Sequence, residues 1–200
     1  HQVDARGKLA RSEVIEVPGP MMMHDFAITK NRIVFMDLPI LFNLEAAIAG
    51  EFPFRWDDAH GARLGVMPRD GKSADVRWFE IPPCFVFHVM NAHEDPTDDS
   101  VVILEGARYE KLWSTSSNLF DQLPVLTRWR LDLDTGKVTE TAVDDRHVEF
   151  PQLDRRRVGL PYRYGYGLEL FPRGGDIIGR AGGVLKFDHE RGTVETHALH

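Results

Sequence analysis

Short stretches in which hydrophobic and polar residues alternate run along most of the chain, separated by Gly, Pro, Asn and Asp. A period of two is typical of β-strands that bury one face. Several pairs of such stretches are joined by tight turns, which predicts β-hairpins. The predicted strands lie at 12–17, 26–29, 33–38, 63–69, 76–81, 100–104, 129–133, 138–141, 162–170, 184–188 and 193–196.

The hairpins repeat along the chain. Three of them have a turn that contains an acidic residue and a glycine, at Gly71, Gly136 and Gly192, so the glycines are 65 (136 − 71) and 56 (192 − 136) residues apart. Propeller blades of the kelch type repeat at roughly 50 residues. The pattern therefore predicts an all-β fold that is part of a β-propeller, about three blades' worth, with a β-sandwich as the alternative.

Three blades are too few to close a ring, and an open sheet would leave strand edges unpaired. We therefore expect residues 1–200 to be an interior fragment of a single propeller domain, with no internal domain boundary.

The stretch 41–49 changes the period. Leu41, Leu44 and Ile48 fall on one helical face, and Gly50 follows as a plausible C-terminal cap. This predicts one short helix. Two interpretations remain open: the helix packs on a sheet, or it forms an apolar lip with Phe52 and Phe54 at a substrate entrance or membrane surface.

Composition narrows the possible functions. The net charge of −7 argues against a nucleic-acid partner. The single cysteine, Cys84, excludes an intramolecular disulfide and favours a reducing compartment, and we expect it to be a buried, inert thiol. No stretch approaches the roughly 20 apolar residues of a membrane-spanning helix. We expect a cytoplasmic protein that is at most peripheral to a membrane.

Two histidines stand in strand-like apolar surroundings. His24 precedes the strand at 26–29, and His88 follows 64 residues later (88 − 24) within Phe85–Met90. Such a pair is consistent with a metal site that the fold assembles. A histidine in an apolar strand is more often a hydrogen-bonded core residue, so the residues alone leave both interpretations open.

Several motifs in one order resemble a known family. They are Met22-Met23-His24-Asp25-Phe26-Ala27-Ile28-Thr29, Asp37-Leu38-Pro39, Arg63-Leu64-Gly65-Val66-Met67-Pro68-Arg69, Phe87-His88-Val89-Met90-Asn91-Ala92-His93-Glu94, Val148-Glu149-Phe150-Pro151-Gln152-Leu153 and Gly159-Leu160-Pro161-Tyr162-Arg163-Tyr164-Gly165-Tyr166. Together these motifs resemble the carotenoid cleavage oxygenases, which include lignostilbene dioxygenases and the isomerase of the retinal pigment epithelium. The resemblance covers essentially the whole chain.

The resemblance implies a seven-bladed propeller that holds non-haem Fe(II) on its axis through four histidines. Members of the family cleave an alkene C=C with O₂ to give two carbonyl products. His24 and His88 match the second and third iron ligands. Glu149 matches a glutamate that hydrogen-bonds an iron-ligating histidine, here expected to be His88. Phe87 matches an aromatic residue that lines the substrate tunnel beside the iron.

The other two ligands match nothing within the chain, so the fragment alone is expected to be inactive. The intact protein is expected to cleave a carotenoid, apocarotenoid or stilbene. The alternatives are a non-catalytic propeller that binds an apolar ligand or a protein partner, and an isomerase of the same family.

Four smaller expectations concern the surroundings of these motifs. Asn91 and Glu94 are expected to fix the loop after His88, and His93 is expected to lie outside the metal site. Asp25 is expected either to begin a strand or to accept a hydrogen bond behind a ligand. The glycine pairs 174–175 and 182–183 are expected in turns.

Overall fold

The computed structural model describes residues 1–113, 122–171 and 180–199, with the backbone alone at 180 and 181. The all-β prediction is confirmed. The strands are β1 (Gln2–Val3), β2 (Leu9–Arg11), β3 (Ala27–Ile28), β4 (Arg32–Asp37), β5 (Ile40–Phe42), β6 (Phe54–Trp56), β7 (Arg63–Pro68), β8 (Arg77–Glu80), β9 (Phe85–Asp95), β10 (Asp98–Tyr109), β11 (Val125–Asp132), β12 (Val138–Leu153), β13 (Tyr164–Phe171), β14 (Arg180–Asp188) and β15 (Thr193–Ala198). Helix α1 spans Leu44–Ile48, and 3₁₀ turns span Ser73–Asp75 and Arg155–Arg157.

Strands β3, β4 and β7–β15 form three antiparallel units of four strands each, with one strand belonging to two units. The first has the order β3-β4-β7-β8. The other two belong to one seven-stranded sheet and share β12, which pairs with β11 through 138–147 and with β13 through 148–153. Four-stranded antiparallel units are the form of a propeller blade. Closure into a ring and the total number of blades remain predictions.

The predicted hairpins are present. β3 pairs with β4 across Lys30 and Asn31, and β7 pairs with β8. In the β11–β12 and β14–β15 hairpins the turn glycines adopt left-handed backbone, with φ of 78° at Gly136 and 64° at Gly192. Glycine reaches this region without steric cost, which explains its place in both turns.

Two strand-level predictions are wrong. The segment 12–17 has no strand pairing, because Glu16 donates its N–H to the Ser73 hydroxyl rather than to a neighbouring strand. Gly182 and Gly183 lie inside β14, not in a turn. The pair at 174–175 lies outside the described residues.

The helix is shorter than predicted. Leu41 belongs to β5 and pairs with Arg55, and α1 starts only after Asn43, whose side chain accepts a hydrogen bond from the Ala46 N–H at 2.8 Å. This is an N-cap. Ala46 is the one buried residue of α1, and Leu44 and Ile48 are exposed, so the helix buries only a narrow face. No helix among the described residues is long and apolar enough to cross a bilayer.

A hydrophobic core connects the first two four-stranded units. It joins β4, β7 and β8 to β9, β10 and β11 and includes the fully buried Leu64, Leu104 and Trp129. Cys84 lies in this core at 0% exposure, which confirms the expected burial of the thiol, and that burial raises its pKa to about 12. The core fixes β9 relative to the β3–β4 hairpin, and the candidate site lies between these two elements.

Candidate metal centre

The structure brings His24 and His88 together. Their ring centroids lie 5.1 Å apart, and the ring planes are nearly perpendicular at 86°. His24 is held on the segment before β3, and His88 lies within β9. Asp25 connects the two segments by accepting a hydrogen bond from the Val89 N–H at 2.9 Å. Asp25 was expected either to begin a strand or to accept a hydrogen bond from a ligating histidine. It does accept a hydrogen bond at the site, but the donor is the backbone next to His88 and not a histidine ring.

Strand β9 bulges where His88 lies. Across the pairing with β10, the four residues Val86 to Val89 lie opposite the three residues Gly106 to Arg108, so β9 contains one extra residue there. A bulge lets consecutive side chains face the same way instead of alternating. Phe87 and His88 accordingly both have their rings near His24, with centroid distances of 5.2 and 5.1 Å.

Opposite this bulge stands Gly106. A Cβ atom there would lie 3.1 Å from Val86 Cγ1 and 3.3 Å from the His88 carbonyl oxygen. Both contacts are tight, so glycine gives the bulged segment of β9 room to approach β10.

Hydrogen bonds define which nitrogen of each ring carries the proton. His24 Nδ1 lies 3.0 Å from the Phe87 carbonyl oxygen, and His88 Nδ1 lies 2.8 Å from Glu149 Oε2. Carbonyl and carboxylate oxygens only accept, so each Nδ1 is the donor. In the neutral rings the lone pair then lies on Nε2, and neither Nε2 has a hydrogen-bond partner among the described residues.

Glu149 is a buried carboxylate with three donors around it. It is 2% exposed, and it accepts from His88 Nδ1, from the Tyr109 hydroxyl at 3.0 Å and from the Phe150 N–H. A buried carboxylate is unfavourable unless its oxygens are hydrogen-bonded. These partners therefore fix both the position of Glu149 and the orientation of the His88 ring.

The hydrogen bond to Glu149 also changes the acidity of His88. It raises the pKa of the imidazole above its ordinary value, while burial of the ring acts in the opposite direction. A metal ion must displace any proton on Nε2, so proton and metal compete for the same nitrogen.

A second bulge places Phe150 at the site. The four residues Glu149 to Gln152 of β12 lie opposite the three residues Tyr166 to Leu168 of β13. Phe150 has φ of 52°, a left-handed backbone that is rare for a bulky residue. Its ring centroid lies 5.1 Å from that of His88. The consecutive residues Glu149 and Phe150 thus both contact the same histidine.

The donor set fits part of a transition-metal site. Imidazole is a suitable ligand for divalent iron, and ligating histidines commonly donate their second N–H to a carboxylate or backbone carbonyl. His24 and His88 both meet that condition. Within the described ranges, no group of three or more His, Cys, Asp or Glu could hold a metal ion.

The neighbouring polar residues have other tasks than expected. Asn91 does not fix the loop after His88; it accepts from the Gly159 N–H at 3.0 Å and donates to the Leu160 carbonyl at 3.0 Å. Glu94 accepts from Thr29 and Arg32 and so holds the β3–β4 turn. His93 donates to the Glu94 carbonyl, away from the His24–His88 pair, as expected.

Two site residues escaped the sequence reasoning. Tyr109 lies in β10 and Phe150 in β12, and neither was singled out. Phe150 follows Glu149 in the family motif at 148–153, but in a regular strand consecutive side chains point to opposite faces of the sheet, so Phe150 would be expected to point away from the site. The bulge in β12 is what places Phe150 at the site, and the bulge arises from the pairing with β13, which the local sequence does not record.

The fold and site define an all-β chain with a histidine-based candidate metal centre. The chain belongs to the retinal pigment epithelial membrane protein family, whose family model matches residues 1–200. It is 32% identical over 221 aligned residues to a carotenoid cleavage oxygenase of Mycobacterium tuberculosis, covering 90% of this chain and 44% of that protein.

Solved structures give the same result. A lignostilbene dioxygenase of Pseudomonas brassicacearum superposes with a TM-score of 0.83 at 25% identity, over 97% of this chain and 44% of that one. A cobalt-substituted apocarotenoid oxygenase of Synechocystis gives 0.82 at 27% identity, over 98% and 42%. The chain thus spans less than half the length of these relatives.

Proposed function

We propose that the intact protein is an Fe(II)-dependent dioxygenase that cleaves an alkene C=C with O₂ into two carbonyl products. The supporting observation is the His88–Glu149 pair: Nδ1 is held by a buried carboxylate, and Nε2 is left as a ligand next to His24. The names of the relatives, which include carotenoid and lignostilbene oxygenases, favour an apolar conjugated or aromatic substrate.

Each residue has a defined task in this proposal. His24 and His88 bind iron through Nε2, and the remaining ligands come from outside the described residues. Glu149 holds the His88 ring in the binding tautomer, and Tyr109 holds Glu149. Bound Fe(II) would supply the electrons that activate O₂. The cobalt-substituted relative supports a metal in this fold.

Aromatic side chains connect the site to Phe52, which follows helix α1 in the chain. Phe87 contacts Trp113 with ring centroids 5.7 Å apart, Trp113 contacts Phe52 at 4.8 Å, and Phe52 contacts Phe54 at 5.9 Å. This continuous apolar surface suits a long hydrophobic alkene. We therefore assign Phe87 to substrate binding, at the metal end of the path.

The same path reaches the exposed Phe52, and the helix that precedes Phe52 in the chain carries two more exposed apolar residues. Leu44, Ile48 and Phe52 are 62%, 78% and 49% exposed. An exposed apolar patch of this kind marks a surface for a partner, ligand or membrane. We propose that α1 and Phe52 form the substrate entrance and touch a membrane peripherally.

We further propose that the three four-stranded units are blades of a seven-bladed propeller. The superposition on the two oxygenases over nearly the whole chain supports this, as does the strand β12 that two units share. In a closed ring the remaining blades would carry the missing iron ligands.

The deciding experiment measures iron content and O₂-dependent cleavage of the full-length protein beside its His88→Ala variant. The wild-type protein is expected to bind iron and to cleave a carotenoid or stilbene, and the variant to lose both. His93→Ala is the matched control, since His93 lies on the same strand but outside the site. It should retain both properties.

Other outcomes would point to the alternatives. A full-length protein that folds without iron and cleaves nothing would contradict the proposal and favour a non-catalytic binding propeller. Iron binding with isomerised but uncleaved product would favour an isomerase.

A further inference from the structure

Strand β9, which carries His88, is the last strand of the seven-stranded sheet. Among the described strands only β10 pairs with it, so the other edge of β9 has no neighbouring strand there. Backbone N–H and C=O groups on such an edge need other hydrogen-bond partners wherever water is excluded. The segment that leads into β3 supplies two of these partners.

Two consecutive side chains bind this edge on both sides of His88. His24 Nδ1 donates to the Phe87 carbonyl oxygen at 3.0 Å, and Asp25 Oδ2 accepts from the Val89 N–H at 2.9 Å. A parallel neighbouring strand would bond in the same pattern, to the C=O before and the N–H after the residue opposite it. The side chains of His24 and Asp25 thus replace a paired strand at His88.

The carboxylate of Asp25 is itself held in place. Its Oδ1 accepts from the Phe26 N–H at 2.8 Å, so one oxygen fixes the orientation of the side chain while the other reaches Val89. An aspartate suits this double task, because asparagine has only one acceptor oxygen and glutamate is one methylene longer. The bond to Val89 also joins two sheets, since Asp25 leads into β3 and Val89 lies in β9.

The bond between Asp25 and Val89 affects the spacing of the two histidines. Asp25 follows His24 directly, and Val89 follows His88 directly, so a contact between the second members of each pair limits the movement of the first members. The bond from His24 to the Phe87 carbonyl alone would let the segment pivot about one point. A second bond two residues further along β9 removes that freedom. Metal ligands must be held to within about 0.5 Å of their binding geometry.

We propose that Asp25 is a positioning residue of the metal centre, which sets the separation of His24 and His88 by anchoring the backbone of β9. The inference rests on the proposed function, since it concerns the spacing of the proposed iron ligands. Asp25 acts through geometry and does not itself bind the metal, because both of its oxygens are engaged by backbone N–H groups.

The test compares Asp25→Ala, Asp25→Asn and Asp25→Glu in the full-length protein, with Co(II) as the probe. Competition with a chelator measures the affinity, and the visible absorption of bound Co(II) reports the geometry of its ligands. We expect Asp25→Ala to weaken Co(II) binding 10–100-fold, the usual effect of losing an outer partner, and to shift the absorption bands. Asp25→Asn should retain more affinity than Asp25→Glu, because asparagine can still accept from the Val89 N–H at the same reach.

A second measurement needs no metal. Hydrogen–deuterium exchange of the metal-free proteins should show the Val89 amide protected in wild type and exchanging faster in Asp25→Ala. Asp98→Ala is the matched control, since Asp98 also accepts a backbone N–H, that of Ser100 at 3.0 Å, but at the far end of the β9–β10 hairpin. It should change neither the Co(II) affinity nor the exchange at Val89.

The outcomes separate this inference from the proposed function. A wild-type protein that binds no Co(II) would contradict the proposed function and this inference with it. A wild type that binds Co(II), together with an Asp25→Ala variant that matches Asp98→Ala in affinity and exchange, would overturn the inference alone. Full affinity in Asp25→Glu with loss in Asp25→Asn would show that charge matters rather than spacing, and would also overturn it.

Discussion

The orientation of His88 depends on a single carboxylate. Glu149 is buried, hydrogen-bonds His88 Nδ1 at 2.8 Å and is itself held by Tyr109. Outer partners of metal-bound histidines orient the ring and raise its basicity. At the residue scale, the iron affinity of the proposed enzyme therefore depends on Glu149 nearly as much as on the ligand.

We predict that Glu149→Gln weakens iron binding 10–100-fold, the usual effect of losing such a partner. Glutamine keeps the size of the side chain but loses the negative charge. The measurement is a competition titration of the full-length protein with a metal chelator. Glu195→Gln, an exposed change on β15, is the control. Equal iron affinity in both variants would contradict the assigned task.

Cys84 gives a prediction about pH. Burial raises the pKa of this thiol to about 12 from an ordinary value of 9.0. Between these values the unfolded chain loses the proton and the folded chain keeps it, so rising pH favours unfolding. The contribution of this thiol to the free energy of unfolding is fully present below pH 9. It decreases by up to about 1.4 kcal/mol per pH unit as the pH rises from 9 towards 12.

The measurement is the free energy of unfolding of wild type and Cys84→Ala by denaturant titration from pH 8 to pH 11. Other groups titrate alike in both proteins, so the difference isolates the thiol. The difference in free energy of unfolding between wild type and Cys84→Ala should become smaller above pH 9, because only the wild type loses the contribution of the thiol. A difference that stays constant over this range would show that the thiol ionises normally.

The types of site residue were predictable, but their geometry was not. His24, His88, Glu149 and Phe87 were found because each lies in a family motif, and the structure brings the four together. Phe150 was missed because its position depends on a bulge. A bulge arises from the pairing of two strands far apart in sequence, which local periodicity does not record.

At the scale of elements, the spacing of apolar residues predicts that helix α1 exists but not whether its apolar face is buried or exposed. The Asn43 cap was available in the sequence and would have placed the helix start correctly. The direction of its apolar face was not available. Leu44 and Ile48 share a face, as expected, but no described element covers it.

The exposed face of α1 leads to a test of membrane association. We predict that Leu44→Glu with Ile48→Glu reduces flotation of the full-length protein with liposomes, because two charges oppose insertion of the patch. Val3→Glu with Val14→Glu is the matched control: these valines are 61% and 79% exposed, close to the values for Leu44 and Ile48. Unchanged flotation in the first variant would count against the entrance patch.

At the scale of the whole molecule, the site joins elements of different units. His24 precedes β3 of the first four-stranded unit, His88 lies in β9 of the second, and Glu149 lies in the part of β12 that pairs with the third. A metal bound there is a link between units. Binding that favours only the folded state stabilises it by mass action.

We therefore predict that removing iron with a chelator lowers the melting temperature of the full-length protein. Metal at 100 times its Kd would contribute about 2.7 kcal/mol. The measurement is a thermal melt with and without chelator, and restored iron should restore the transition. His24→Ala should melt at the same lower temperature in both conditions. A wild-type melting temperature that is the same with and without chelator would exclude a stabilising metal.

The extra residue in β12 has an evolutionary consequence. Deleting one residue at Phe150 would let β12 pair with β13 without interruption and would remove a backbone conformation that a bulky side chain rarely adopts. The sheet would become more regular, while Glu149 would lose its N–H donor from Phe150 and His88 its aromatic neighbour. Selection for a stable fold alone would favour loss of the extra residue in β12. Its retention among related sequences would therefore indicate selection for the function of the site.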